Sequence, residues 1–325
     1  MTDHTNPHDV ADAMDAMDAS ASGSTAEFRS GFVTLFGRPN VGKSTLVNAL
    51  VGTKVTIVSD KPQTTRTTVR GVRTTPEHQM VFLDTPGVHR PRTLLGERTN
   101  KRAVESLAAT DVVCLLMEAN TQIGPGDRFV ADLVHKSDAV ARIAVLNKVD
   151  LATHDQIGEH LGLLGSGELG AFDAFVPISA HLGDNLDALI SELLAHLPIG
   201  PHYYPDGQIS DQPETFLAAE LVREQLLEGA RDELPHSITV AVTELEERTT
   251  GKGEDLLAMR AVIRVERDSQ KGIVIGHKGE NLKRAGTGAR EELERLLGVK
   301  VHLELHVRVD SDWQRKANAL DRLGY

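Results

Sequence analysis

The segment Gly37-Arg38-Pro39-Asn40-Val41-Gly42-Lys43-Ser44, followed by Thr45, has the spacing Gly-x-x-x-x-Gly-Lys-Ser/Thr. Its chemistry would be phosphate binding. The glycines let the chain wrap around an anion with successive N–H groups pointing inward, and a helix beginning at its end adds partial positive charge. Lys43 would bridge the β- and γ-phosphates of a nucleotide, and Ser44 would ligate Mg²⁺. Further along, Asp84-Thr85-Pro86-Gly87 supplies a carboxylate for the same ion, through a water, and a glycine whose N–H can approach the γ-phosphate because no Cβ intervenes. In Asn147-Lys148-Val149-Asp150, the Asp150 carboxylate can accept from both the N1–H and the 2-amino group of guanine. Adenine offers no such donor pair. Asn147 can bond the other edge of the base, and the Lys148 stem can cover its ring. In Val176-Pro177-Ile178-Ser179-Ala180, the loop Ser179-Ala180 would bring an amide N–H to the guanine oxygen. Taken singly, Asp-x-x-Gly is an ordinary turn and Asn-Lys-x-Asp a helix-capping turn. In this order the four describe a site for GTP or GDP with Mg²⁺.

A different pattern lies near the C-terminus. Val274-Ile275-Gly276-His277-Lys278-Gly279-Glu280-Asn281-Leu282-Lys283 places Gly-x-x-Gly between apolar residues and a helix. The glycines would let a nucleic-acid backbone lie close, with His277 and Lys278 at its phosphates. Lys271, Lys283 and Arg284 extend the positive surface. Ile273, Ile275 and Leu282 either line a groove for bases or belong to the core.

The elements that must position these residues can be read from hydrophobic patterning. Apolar strands at Phe32–Phe36, Met80–Asp84, Val112–Glu118, Ile143–Asn147 and Phe175–Ile178 alternate with helical stretches such as Ser44–Leu50, Gly96–Ala109 and Asp187–Leu197. Each motif of the first set sits at a strand end. This is an α/β fold with a mostly parallel sheet covered on both faces, whose ligands sit beyond the C-terminal strand ends. Four prolines between Pro198 and Pro213 read as a linker. The order then becomes helix (Glu214–Arg231), two strands (Ser237–Glu247, Ala258–Asp268), helix (Gly279–Leu297), strand (Lys300–Asp310) and a short helix from Asp312, a smaller α+β module. The expected division is an acidic disordered tail at 1–27, a nucleotide domain at 28–198, a linker at 199–213 and a second domain at 214–325.

Composition bounds the rest. The 325 residues suit two domains with a core each. The single Cys114 lies in an apolar run, which excludes an intrachain disulfide and favours a buried hydrophobe over a reactive thiol. No apolar stretch approaches the ~20 residues needed to span a bilayer, so the expectation is a cytoplasmic monomer, with peripheral contact to the inner face of the cell membrane left open. The net charge of −12 opposes nucleic-acid binding for the chain as a whole, but residues 1–27 carry six acids and no Lys or Arg, whereas residues 264–284 carry six basic side chains against three acidic.

The four strand-end motifs resemble those of the translation-factor-like GTPases over about residues 30–198. The resemblance implies a switch loop in which Thr64 or Thr65, with Thr65 matching the family pattern, closes on Mg²⁺ and the γ-phosphate. It makes Lys43, Thr65 and Gly87 the catalytic set and Ser44, Thr65 and Asp84 the Mg²⁺ set. Many relatives carry a glutamine just after Asp-x-x-Gly to orient the attacking water. Val88 stands there in this chain. Some related GTPases use K⁺ with a phosphate-loop asparagine as ligand, and Asn40 occupies that place. The flanked Gly-x-x-Gly resembles KH domains of the bacterial, type II arrangement. A GTPase domain followed by one KH domain is similar to the Era family of ribosome-assembly GTPases, as are the local stretches Pro62-Gln63-Thr64-Thr65-Arg66 and Val301-His302-Leu303-Glu304-Leu305. That resemblance implies binding to the 3′ end of small-subunit ribosomal RNA and a role in assembling the small ribosomal subunit. The alternative is a GTPase whose C-terminal domain binds proteins or the membrane surface. A tRNA-modifying GTPase would need a C-terminal reactive cysteine, which Cys114 is not.

Overall fold

A computed structural model describes residues 27–228, 230, 234–249 and 253–325. The acidic tail lies outside these residues apart from Glu27. Strand β1 (Arg29–Gly37) is central in a six-stranded sheet of order β2-β3-β1-β4-β5-β6, with β2 Val69–Thr74, β3 His78–Asp84, β4 Val112–Glu118, β5 Ala141–Asn147 and β6 Ala174–Pro177. All neighbours are parallel except β2 and β3. Successive side chains of β1 alternate between two cores. Val33 and Leu35 pack against Leu46 and Leu50 of α1 (Lys43–Val51) and Leu189 and Leu193 of α5 (Leu186–His196). Phe36 faces the opposite layer with Ala103 of α2 (Leu94–Glu105), Val130 and Val134 of α3 (Pro125–His135) and Leu164 of α4 (His154–Gly165). Burying each of these large side chains stabilises the fold by about 1.5–3 kcal/mol. Burial on both faces explains why the strands read as near-continuous apolar runs.

Strand β2 was not expected from the sequence. Val69-Arg70-Gly71-Val72-Arg73-Thr74 lacks a continuous apolar run because it is the antiparallel edge, with Arg70 exposed. Its outer side is covered by the proline-bearing segment. Val72 N–H donates to the Ile209 carbonyl at 2.8 Å, Ser210 Oγ donates to the Arg70 carbonyl, and Arg70 pairs with Asp211 at 2.6 Å. Upstream, Gln79 Oε1 accepts from the Tyr203 and Tyr204 amides, and Ser30 Oγ donates to the Pro201 carbonyl. The stretch expected to be a linker therefore runs as a strap along the sheet edge, where its hydrogen bonds protect β2 from pairing with another chain.

The second body comprises α6 (Glu214–Glu228), a single turn α7 (Leu234–Ser237), β7 (Thr239–Thr249), β8 (Asp255–Val265), α8 (Asp268–Ile275), α9 (Glu280–Leu297), β9 (Lys300–Val309) and α10 (Ala317–Arg322). Its sheet has the order β7-β8-β9, antiparallel then parallel. Helix α8 is an addition to the expected order. The strand read as continuing to Asp268 stops at Val265, because Gln270 Oε1 accepts from the Glu266 and Arg267 amides and caps a new helix. The core joins Leu221 and Val222 of α6 with Ile263 of β8 and Ala289 and Leu293 of α9. Ile57, from the nucleotide side of the molecule, is 1% exposed and belongs to this second core.

Candidate active site and nucleic-acid interface

The phosphate loop joins β1 to α1 with Asn40 and Gly42 both at positive φ, 66° and 96°. Gly42 supplies the left-handed turn that starts α1. Lys43 is 6% exposed, and its Nζ donates to the Gly37 and Arg38 carbonyls at 3.2 and 2.7 Å. Burial pushes the Lys43 ammonium down to about 8, while Asp84 pulls in the other direction. Pro39, Asn40, Gly42, Lys43, Ser44 and Thr45 line one side of a cavity of about 560 Å³. Arg38 instead points its guanidinium at Asp127, 2.9 Å away, and so braces the loop against α3.

Asp84, at the end of β3, is fully buried. Its Oδ2 accepts from Ser44 Oγ at 2.7 Å, Thr56 Oγ1 at 2.8 Å and Thr65 Oγ1 at 3.3 Å. Its Oδ1 is buried with no partner. Burial holds this carboxyl above the usual range, opposed by the Ser44 hydroxyl and the Lys43 charge. Thr65 Oγ1 also lies 3.0 Å from Ser44 Oγ, whereas the Thr64 hydroxyl donates to the Lys61 carbonyl within its own turn. Of the two threonines, Thr65 is the one brought to Ser44 and Asp84. A cluster of oxygens around a carboxylate with one free buried lone-pair face fits a hard divalent cation such as Mg²⁺.

Gly87 lines the cavity, and a Cβ there would fall 2.5 Å from the Pro39 nitrogen. Thr85 turns inward, donating to the Leu35 carbonyl. Val88 packs in the core with Phe36 and Ala103, its amide bonded to the Gly37 carbonyl. Its side chain is thus directed away from the cavity. At the other end, Asn147 is 2% exposed and stitches three loops: Nδ2 donates to the Val41 carbonyl at 2.8 Å, and Oδ1 accepts from the Ala180 amide at 3.0 Å. The Ala180 N–H, expected at the guanine oxygen, donates to Asn147 in this structure. Ser179 is buried and turns the fourth loop through its bond to the Leu182 amide. Lys148, at φ 65°, lines the cavity, donates to the Asn40 carbonyl and pairs with Glu118. Asp150 follows two residues on, exposed in a short 3₁₀ turn. Asn40 Nδ2 donates to the Asp60 carbonyl, linking the phosphate loop to the segment that carries Thr65.

Sequence reasoning missed Thr56, Glu118 and Gln63. Thr56 reaches Asp84 only through the fold. Gln63 is bonded to His89 across the two loops at 2.8 Å and lines the cavity. Glu118 could have been found, because it ends β4 where the other strands carry their motifs.

In the second body the Gly276–Gly279 turn precedes α9. Gly276 and Gly279 have φ of 72° and 82°, and Lys278 between them is also left-handed. His277, Lys278 and Lys283 are exposed, and Lys271 is half-buried. None of these four has a carboxylate partner among the described residues. Arg284 differs: it donates to the Gln225 carbonyl and pairs with Glu228, both on α6. Beside the turn is a groove of about 380 Å³ lined by Gly279, Leu282, Lys283, Arg290, Leu303 and Leu305. Leu282 belongs to it, whereas Ile273 is 54% exposed on α8. Arg290, Leu303 and Leu305 were not expected, as they come from the far part of α9 and from β9. Cys114 is buried and its thiol is pushed up to about 12 by burial, so it is inert.

Fold and sites together define a P-loop nucleotide-binding domain joined to a KH-type module. Residues 32–148 match the family model described as a 50S ribosome-binding GTPase, and residues 233–314 match the KH domain. The GTPase Era of Nocardioides sp. is 51% identical over 310 residues, spanning 94% of this chain and 98% of that one. That of Mycolicibacterium smegmatis is 48% identical over 92% and 99%. The chain belongs to the GTPase Era family. Two solved structures cover 92% of it and 99% of their own chains. One is Era in complex with MgGDPNP and nucleotides 1506–1542 of 16S ribosomal RNA, with a TM-score of 0.86 at 37% identity. The other is a point variant of Aquifex aeolicus Era bound to GDP and AlF4⁻, with a TM-score of 0.87 at 38% identity.

Proposed function

We propose that this protein is a GTP-hydrolysing switch that binds the 3′ end of small-subunit ribosomal RNA and assists assembly of the small subunit in the cytoplasm. The observation that carries it is the meeting of Ser44, Thr65 and Asp84 around one buried carboxylate, beside Lys43. Ser44, Thr65 and, through a water, Asp84 would hold Mg²⁺, which supplies neutralisation of charge on the β- and γ-phosphates. Lys43 and the phosphate-loop amides hold the γ-phosphate oxygens, and the Gly87 N–H stabilises charge that grows there as water attacks phosphorus and GDP leaves. Asp150 selects guanine. Since Val88 is buried, water is oriented by backbone, by another side chain or by a bound cation. K⁺ ligated by Asn40 is one such cation, and hydrolysis faster in KCl than in matched NaCl supports it, while equal rates remove it.

RNA would lie in the groove beside Gly276–Gly279, with His277, Lys278, Lys283 and Lys271 at phosphates. Arg284, tied to α6, would act through that helix as well as by charge. The solved relative in complex with both MgGDPNP and 16S RNA supports RNA as the partner. GTP gates the RNA, because ordering the Thr65 loop also fixes the second body against the first. The test is RNA affinity with a non-hydrolysable GTP analogue against GDP. Tighter binding with the analogue is expected; equal affinities for RNA and for small subunits would sink the gating, since a ligand that binds two states equally shifts neither. Replacing His277 and Lys278 by Asp separates this reading from a protein- or membrane-binding C-terminal domain: RNA binding collapses under the first and is unmoved under the second. No helix among the described residues is long and apolar enough to cross a membrane.

A further inference from the structure

The loop that carries Thr65 is not held by the nucleotide domain alone. Ile57 is buried in the second core, packed with residues such as Val222 and Leu293. Val58 N–H donates to Glu224 Oε1 at 2.9 Å, and Lys54 bonds Glu224 Oε2 at 2.5 Å. The Thr64 carbonyl accepts from Arg223 Nη2. Arg66, immediately beyond Thr65, donates to the carbonyls of Ile238 at 2.7 Å, His236 at 3.0 Å and Pro235 at 3.2 Å, and its guanidinium lies 5.6 Å from the centre of the Trp313 ring. Both arginines are buried, at 3% and 1% exposure. Thr65 is thus the residue of this stretch whose hydroxyl meets Ser44 and Asp84, while its neighbours on each side are fastened to the other body.

We propose that Arg223 and Glu224, adjacent on helix α6 of the second body, are positioning residues for GTP hydrolysis. They hold the backbone of loop 58–66 so that the Thr65 hydroxyl stays at Ser44 and Asp84. Arg223 fixes the peptide before Thr65, and Glu220 keeps the fork oriented by bonding its Nε at 2.9 Å. Glu224 fixes the start of the loop. Neither touches the cavity, so both act through Thr65. Hydrogen bonds from a buried guanidinium are charge-assisted, and a buried guanidinium without acceptors is costly, so the contact is made or lost as a unit. The loop and the second body consequently order together.

This inference rests on the reading that Thr65 completes the Mg²⁺ site, and the test distinguishes the two. The full chain is made as Arg223→Lys and Glu224→Ala, each with and without Thr65→Ala. GTP turnover, GDP affinity and the Mg²⁺ dependence of turnover are measured for all. Glu224→Ala leaves Lys54 the Glu292 carboxylate, 3.6 Å away, and so carries the test if Arg223→Lys fails to fold. Thr65→Ala alone is expected to lower kcat strongly; an unchanged kcat would overturn the site reading itself. Losing a charge-assisted bond should lower kcat about tenfold and raise the Mg²⁺ needed for half-maximal turnover. GDP, which makes no γ-phosphate contact, should bind with unchanged affinity. In the Thr65→Ala background neither change should lower kcat further. Additive losses in the double variants, or a parallel fall in GDP affinity, would show a merely structural role and overturn the proposal.

Discussion

The two sites of this molecule are built on opposite principles. In the nucleotide pocket the polar groups are largely withdrawn from solvent and hold one another, with Lys43 on loop carbonyls, Ser44 and Thr65 on Asp84 Oδ2, and Asn147 between the first and fourth loops, leaving Asp84 Oδ1 as the free acceptor. At the second site, Lys283 stands in solvent in a groove with Leu282, Leu303 and Leu305, and His277 and Lys278 are exposed on the turn beside it. Chemistry needs donors fixed in a low-dielectric setting before charge develops, so that nothing reorganises during the reaction. Holding a flexible polyanion needs only mobile cations and an apolar floor, and the binding is driven by counterion release. A substitution should therefore be severe and salt-insensitive in the pocket, and modest and salt-sensitive in the groove.

The largest effect should come from the pocket. Lys43→Ala leaves Asp84 without its neighbouring cation and the phosphates without theirs, and should lower GTP affinity about 1,000-fold in nucleotide titrations. A loss under tenfold would break the contrast. Next, Asp150→Asn should exchange preference between guanosine and xanthosine triphosphate, shifting the ratio of their affinities about a hundredfold. Retained guanine selectivity would place the base elsewhere. In the groove, Lys278→Ala combined with Lys283→Ala should weaken RNA binding roughly tenfold and flatten the slope of log K against log salt by about 1.4. An unchanged slope would mean that these lysines do not meet phosphates. The smallest effect is a proton. Lys43 in the free protein sits at about 8. Bound phosphates raise it, so the complex holds a proton that the free protein has lost above that pH. Nucleotide binding at pH 9 should take up a proton, read from the buffer dependence of the calorimetric heat, whereas binding at pH 6.5 should take up none. Affinity should fall as pH rises through about 8.

Much of the nucleotide site was legible because its constraints are local. A strand, a glycine-bearing turn and a helix in sequence build the phosphate loop from neighbouring residues, and Asp84 and Asn147 sit at strand ends that apolar patterning already marks. Edge strand β2 was illegible for the converse reason: it interleaves Arg70 and Arg73 with Val69, Gly71 and Val72, so nothing in its composition separates it from a loop. The proline-rich segment reads as a linker from composition, which does not show that it lies along the sheet edge, because its hydrogen bonds to Gln79, Arg70 and Val72 are long-range. Helix α8 was hidden behind a strand pattern whose end is set by Gln270 capping.

The amino-acid order by itself set the expectations at each site, namely a loop to bind phosphate, a carboxylate to read guanine and a turn to admit a nucleic-acid backbone, each read from a span of four to ten residues. Tertiary structure brought Thr65, the threonine that matches the family pattern, to Asp84, and it alone decided that its loop is gripped by Arg223 and Glu224 from more than 150 positions away. Such contacts depend on how two bodies pack. A buried guanidinium donates to whichever carbonyl the fold delivers, so no spacing in the sequence can encode which one it will be.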